Sequence, residues 1–256
     1  MLNSFKKSFF PLISYLGRKK MERAFDREPL IIGGCGRSGT TLLQSILSAH
    51  PAILGFPKEL SVFNHWRGEK GRKEPRRIDR LYREILIRRV PSGVRRWSEK
   101  TPRNVRHIER IMDYFDGQVK FIHIIRDGRD VVLSQHPDKE GFWVDPRRWV
   151  TDVKAGLAYA DHPNVLTIYY EDLVREYEAT MQRILDFIGE PFTRHLEQWH
   201  EHTTLTKSNA WHGGVRKLSD RSVGKWRNNL DQSRVQDLMR NEQARHLLEQ
   251  LGYPLS

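Results

Sequence analysis

The residues from Pro29 to Pro51, PLIIGGCGRSGTTLLQSILSAHP, run from an apolar stretch through glycines into a helical pattern. Gly34 and Gly39 have the spacing of the outer glycines of a phosphate-binding loop, and Thr40 and Thr41 follow them. Thr40 stands where the nucleotide-triphosphate version of that loop carries a lysine. Arg37 lies three residues earlier. A turn of this kind presents successive backbone N–H groups at a helix N-terminus, which attracts an anion such as a phosphate. Within the loop Gly34–Thr41, which includes Gly36 and Gly39, Arg37, Ser38, Thr40 and Thr41 add donors. The plain alternative is a tight strand–helix turn whose glycines serve packing alone.

A second cation stands at a strand end. VKFIHIIRDGRD, residues 119–130, reads as a buried strand that stops at Arg126 and is followed by Asp127. Magnesium nucleotides call for a loop lysine and for an acidic metal ligand at a second strand end. Here the lysine is absent and the strand ends in an arginine, so the pattern expects direct binding of an anion and no metal. Two readings stay open beside it. One is a P-loop kinase, for a nucleoside or another small molecule, that has lost its lysine. The other is a non-catalytic module that binds anions or nucleic acid through the same basic loops.

The elements that must position these residues alternate in type. Strands are expected at 30–34, from Arg96 into the turn at Thr101-Pro102, at 119–125 and at 164–173. Helices are expected at 40–49, at 105–115, through Val131, Val132 and Ser134, at 146–161, at 181–188 and at 232–251. Part of the basic run 67–96 carries a helical stripe in Leu81, Ile85 and Leu86, and residues 203–227 read as loop. Such alternation predicts an α/β fold: a P-loop-like, mainly parallel sheet with helices on both faces. Ligands of such folds bind at the carboxyl ends of the strands. The turn after residue 34, the loop at Lys100, and Arg126 all fall there.

The expected organisation is an N-terminal basic and apolar extension, 1–28, and one domain, 29–256. The apolar part of the extension, Phe9 to Leu16, is about half a bilayer span and is interrupted by Pro11. No small-residue cleavage site follows it, only Arg18, Lys19 and Lys20. Residues 1–25 are therefore expected to pack on the domain, with a membrane surface as the other candidate contact. A single cysteine, Cys35, rules out an internal disulfide framework and suits a reducing, cytoplasmic setting. The net charge of +12 calls for anionic partners. Trp and Tyr are not arranged as a stacking platform, so nucleic acid is not the expected one. His195, His200, His202 and His212 lack the spacing of a zinc site.

Five stretches, in order, carry a family resemblance. GRSGTTLLQSILSAHP resembles the 5′-phosphosulfate loop of the sulfotransferases that use 3′-phosphoadenosine 5′-phosphosulfate (PAPS). IIRDGRDVVLSQ resembles their 3′-phosphate motif, with Arg126 and Ser134 eight residues apart. PKELSVFN, EKTPRN and VGKWRNNL resemble their base-bearing segment, their Glu-Lys-Thr-Pro stretch and their late cofactor-closing loop. The first loop is closer to the tyrosylprotein branch and many bacterial members, and the segments around Glu59 and Lys100 to the glycan-modifying branch.

The resemblance implies sulfuryl transfer from PAPS to a hydroxyl, less readily an amine, releasing adenosine 3′,5′-bisphosphate (PAP) without a metal. It implies Glu59 as base, Arg37 and Lys100 as charge stabilisers, and Gly36–Thr41 at the 5′ end. It places Arg126 and Ser134 on the 3′-phosphate, with Gly224, Lys225 and Trp226 closing over the donor. A carbohydrate-containing acceptor, glycan or glycolipid, is the expectation, and peptide tyrosine and small metabolites stay open. Each role has a local alternative: Lys58 neutralising Glu59, Glu99 pairing with Lys100, and Asp127, Arg129 and Asp130 serving as helix-start charges.

Overall fold

A computed structural model describes residues 10–67, 74–135, 141–205, 215, 217–229 and 232–255. Its core is a five-stranded sheet in the order β2 (Ile53–Gly55), β5 (Arg96–Lys100), β1 (Leu30–Gly34), β6 (Lys120–Ile125), β7 (Val165–Tyr169). Every pairing in it is parallel. A short antiparallel ribbon, β3 (Trp66–Arg67) with β4 (Glu74–Pro75), stands apart.

The sheet is buried on both faces because its central strands are apolar on both. Leu30 and Ile32 of β1 face Leu43, Ile46 and Leu47 of α2 (Thr40–Leu47), while Ile31 joins Val105, Ile111 and Phe121 on the other side. A run without polar alternation is what a two-sided parallel strand requires. Gly33 lets the backbone close up there, since a Cβ would come within 2.6 Å of the Phe121 ring.

Before the sheet, α1 (Phe10–Ala24) packs along α3 (Ile78–Ile87), with Gly17 flush against Tyr82. Pro11 does not interrupt α1. It sits in the first turn, where a missing N–H costs nothing. After β5 a 3₁₀ turn, Pro102–His107, leads into α4 (Ile108–Tyr114), so the helix expected at 105–115 begins as a tighter coil. α5 (Gly128–Val132) and α6 (Pro146–Leu157) flank β6, and Ser134 lies just past α5 rather than within it.

Other expected boundaries move. The strand expected at 164–173 stops at Tyr169, and Tyr170 opens α7 (Tyr170–Arg175), which leads into α8 (Tyr177–Ile188). The stop falls where Tyr170, at 8% exposure, turns to join the core beside α2. Short helices α9 (Arg194–Glu197) and α10 (Trp199–His202) follow. The closing helix is two, α11 (Ser233–Arg240) and α12 (Glu242–Gln250), because Asn241 leaves the helical conformation and caps the N–H of Ala244 at 3.1 Å. β2 was not among the expected strands; at three residues it is too short to show a period.

Candidate active site

Because all five strands run the same way, the turns after β1, β5, β6 and β7 meet along one edge. Arg37, Lys100, Arg126 and Tyr170 sit in or beside those turns.

The loop after β1 holds unusual backbone geometry. Arg37 adopts a left-handed conformation with φ of 70°, uncommon for a side-chain-bearing residue. Gly39 has φ of 97°, and a Cβ there would come within 2.4 Å of the Tyr170 ring. Ser38 is fully buried and Thr40 nearly so. The Ser38 hydroxyl and Arg37 Nε are buried without a hydrogen-bond partner. Buried donors are almost always paired in native proteins, so donors of this kind mark a place for an acceptor.

Arg126 is the hub between this loop and the late segment. Its Nη1 donates to the carbonyl of Arg37 at 3.1 Å, and its Nη2 to the carbonyl of Ser222. The guanidinium lies 4.3 Å from the centre of the Tyr170 ring, whose hydroxyl is 2.6 Å from Ser222 Oγ. Asp130, fully buried, accepts the N–H groups of Gly224 at 2.7 Å and Trp226 at 3.0 Å. Asp130 is thus not a free helix-start charge; it ties the late segment to the end of β6. Burial pushes its carboxyl up, against the pull of Arg126 and the two amides.

Asp127 does serve the helix start. It caps the N–H of Arg129 at 2.9 Å and pairs with that residue's guanidinium at 2.8 Å. Arg129 in turn lies 3.8 Å from the centre of the Trp226 ring. Ser134 is buried, its hydroxyl 3.5 Å from the carbonyl of Asp130.

Three cations converge here. Burial, then the charge of Arg126, lowers the pKa of Arg37. Lys225 is brought down to about 8, by burial first and then by Arg126. Arg126 Nε and Trp226 Nε1 are also buried without a partner. Mutually repelling cations among unpaired donors fit a multiply charged anion, and the residues present therefore suit a bis-anionic nucleotide.

Beside this cluster opens a cavity of about 580 Å³, whose walls include Arg37, Thr41, Glu59, Lys100, Trp143 and Arg148. Lys100 Nζ donates to Glu59 Oε1 at 2.7 Å, with the lysine largely buried and the glutamate side chain 46% exposed. The local alternatives for this pair are not what forms. Lys58 binds the buried Glu84 at 2.8 Å instead of Glu59. Glu99 is fully buried and does not pair with Lys100: it accepts from Thr101 Oγ1 at 2.6 Å, Asn104 Nδ2 at 2.7 Å and the N–H of Leu60 at 3.1 Å. Glu99 therefore anchors the segment carrying Glu59 to the strand end carrying Lys100.

Sequence reasoning did not find Tyr170 or Arg148. Ending β7 one residue before Tyr170 would have put the tyrosine on the functional edge; Arg148 carried no local signal. Among the late-loop residues, His212, Gly213, Gly214 and Arg216 lie outside the described residues, as do 68–73 of the basic run. His195 and His202 have ring centres 4.4 Å apart, and among the described residues no group of three metal-ligating side chains occurs.

Comparison with known proteins points the same way as the geometry. A family model described as Sulfotransferase family matches residues 29–194. Protein-tyrosine sulfotransferase A of Caenorhabditis elegans is 26% identical over an alignment covering 88% of this chain and 67% of that protein. In fold, the chain is similar to the sulfotransferase domain from the curacin biosynthetic pathway, with TM-score 0.64 at 16% identity, covering 91% of this chain and 100% of the domain. It is also similar to mouse sulfotransferase SULT7A1 complexed with PAP, with TM-score 0.54 at 16% identity, covering 93% of each chain.

Proposed function

The chain belongs to the PAPS-dependent sulfotransferase family, and from that premise we propose that it moves the sulfuryl group of PAPS onto a hydroxyl acceptor in the cavity beside Glu59. The observation that carries this is the convergence of Arg37, Arg126 and Lys225 with unpaired buried donors at one sheet edge, next to a Glu–Lys pair. When bound, PAPS supplies a sulfuryl group on a phosphate leaving group. The loop Gly36–Thr41 holds the 5′ end through backbone N–H groups and the hydroxyls of Ser38, Thr40 and Thr41. Arg126 and Ser134 hold the 3′-phosphate, and Gly224, Lys225 and Trp226 close the site, tethered through Asp130.

Glu59 takes the acceptor proton as the acceptor oxygen bonds to sulfur and the bond from sulfur to the phosphate oxygen breaks. Lys100 and Arg37 stabilise the charge that moves onto the leaving oxygen. In the resting site Lys100 holds Glu59 at 2.7 Å, which fixes the carboxylate at the cavity wall.

The acceptor we favour is a carbohydrate-containing molecule that carries anionic groups. Arg77, Arg80 and Arg83, with Lys58, line a cleft that adjoins Glu59 and suits such groups. A tyrosine-containing peptide is the second reading, favoured by the similarity to the C. elegans protein-tyrosine sulfotransferase.

The test is a thermal-shift titration with PAP, magnesium-ADP and magnesium-ATP, followed by transfer assays from PAPS to glycan and tyrosyl-peptide acceptors. A ligand confined to the folded state raises its stability by mass action. Stabilisation by PAP alone, with transfer to the glycan, is the expected result. Stabilisation by magnesium-ATP alone would leave a kinase standing, and PAP binding with no transfer to any acceptor would leave the non-catalytic module.

A further inference from the structure

Arg148, in the second turn of neither loop that the motifs mark but near the start of α6, reaches the donor side of the cavity. Its Nη2 lies 3.2 Å from where a Cβ on Gly36 would stand, so the guanidinium lies against the first residue of the phosphate loop. Nη1 donates to the carbonyl of Trp143 at 3.2 Å, and Nε lies 3.5 Å from Asp152 Oδ2. Asp152, fully buried one turn along α6, is bound on its other oxygen by Arg106 from the turn after β5.

Two guanidinium groups thus share one carboxylate, and one positive charge stays uncompensated. Arg106 binds the other oxygen of Asp152, and Arg148 is the member of the trio that lines the cavity. Arg148 Nε is buried without a hydrogen-bond partner. Among the other cations that line the cavity, Lys100 already has Glu59 and Lys58 has Glu84 as its partner, and Arg37 belongs to the phosphate loop itself.

We propose that Arg148 is a donor-contacting residue: it binds the terminal sulfuryl oxygens of PAPS from the α6 side, with Asp152 and Arg106 holding it in place. This rests on the PAPS reading above. Its basis in charge is that a fixed guanidinium in a partly water-excluded cavity meets an oxyanion without reorganising, and the arginine fork matches two oxygens of one tetrahedral group. The Gly36 position gains a meaning as well, because a Cβ there would stand 3.2 Å from Arg148 Nη2 and oblige the guanidinium to give by a few tenths of an ångström.

The experiment compares binding of PAPS and PAP, which differ only by the sulfuryl group, by isothermal titration to the full chain and to Arg148→Met and Arg148→Lys. Methionine keeps the side-chain stem and removes the charge. The expected result is PAPS affinity reduced at least tenfold in Arg148→Met, PAP affinity within about twofold of the parent, and partial recovery of PAPS binding in Arg148→Lys. Unchanged affinity for both ligands would overturn the assignment. An equal fall for both would also overturn it, because Arg148 would then merely support the loop. Failure of the parent chain to bind either ligand would instead sink the PAPS reading itself.

Discussion

At the scale of single residues, the 2.7 Å contact between Glu59 and Lys100 makes base and cation one unit. Glu59→Gln removes the proton acceptor while keeping the shape. It is expected to lower kcat by about 10²- to 10⁴-fold, the usual contribution of a positioned acid or base, and to leave PAP affinity within about twofold. Equal loss of both, read from transfer rates and calorimetry, would remove Glu59 from the role. Lys225 gives a second prediction. With its pKa lowered to about 8, it loses charge as pH rises through that value, and a bound phosphate would restore the proton. PAP affinity should therefore fall above pH 8, with proton uptake on binding between about pH 8 and 9. Titrations in buffers of different ionisation enthalpy would detect the uptake, and Lys225→Met should abolish it.

Between elements, the site depends on how tightly the β1 turn approaches α7. Gly39 combines φ of 97° with a 2.4 Å clearance from Tyr170 for any added Cβ. Gly39→Ala should cost about 1–3 kcal/mol of stability from strain at that position. It should also displace Tyr170, and with it the stacked Arg126, so that PAP binding weakens beyond the stability loss. Denaturant unfolding together with PAP titration separates the two effects. At the other end of the sheet, Arg96 at the start of β5 donates to the carbonyl of Ile188 at 2.6 Å and to Glu190 at 3.0 Å, fully buried. Arg96→Met leaves Glu190 buried without its partner and is expected to destabilise by about 3–5 kcal/mol. A loss under about 1 kcal/mol in chemical denaturation would mean that Glu190 finds another partner or reaches water.

For the whole molecule, the question is where a chain of net charge +12 resides. No helix among the described residues is long and apolar enough to cross a membrane. α1 nevertheless exposes Leu12 at 52%, Tyr15 at 60% and Leu16 at 43%, at the spacing of one helix face. Arg18 and Lys19 follow on the same helix with half-exposed side chains, sharing Glu22 between them and leaving one net positive charge. On this pattern we propose contact with an anionic lipid surface. The chain should co-sediment with vesicles containing phosphatidylserine and not with purely zwitterionic ones, and added salt should release it. Replacing Leu12 and Leu16 together by Ser should abolish the binding without changing thermal stability. Equal sedimentation with both vesicle types would contradict the electrostatic part of the idea.

What the sequence determined by itself is what local physics writes. The continuous apolar run of β1, the glycine turn after it and the β-branched run ending in Arg126 each state their own conformation, and alternation of strand with helix then dictates a parallel sheet with one functional edge. Boundaries slipped where tertiary packing overrode local preference, as at Tyr170 and Asn241. The partners of the charged residues were decided only in three dimensions. Neighbours in sequence suggested Lys58 with Glu59 and Glu99 with Lys100, yet the fold pairs Lys58 with Glu84 and Lys100 with Glu59, 41 residues apart. Asp130 finds its amides 94 and 96 residues later in the chain. Arg148 meets Asp152 at the i,i+4 spacing of its own helix, but its approach to Gly36 is one that no spacing announces. The reason is physical: periodicity and turn chemistry act over a few residues, whereas a charge is satisfied by whatever the meeting of loops at a sheet edge brings within reach.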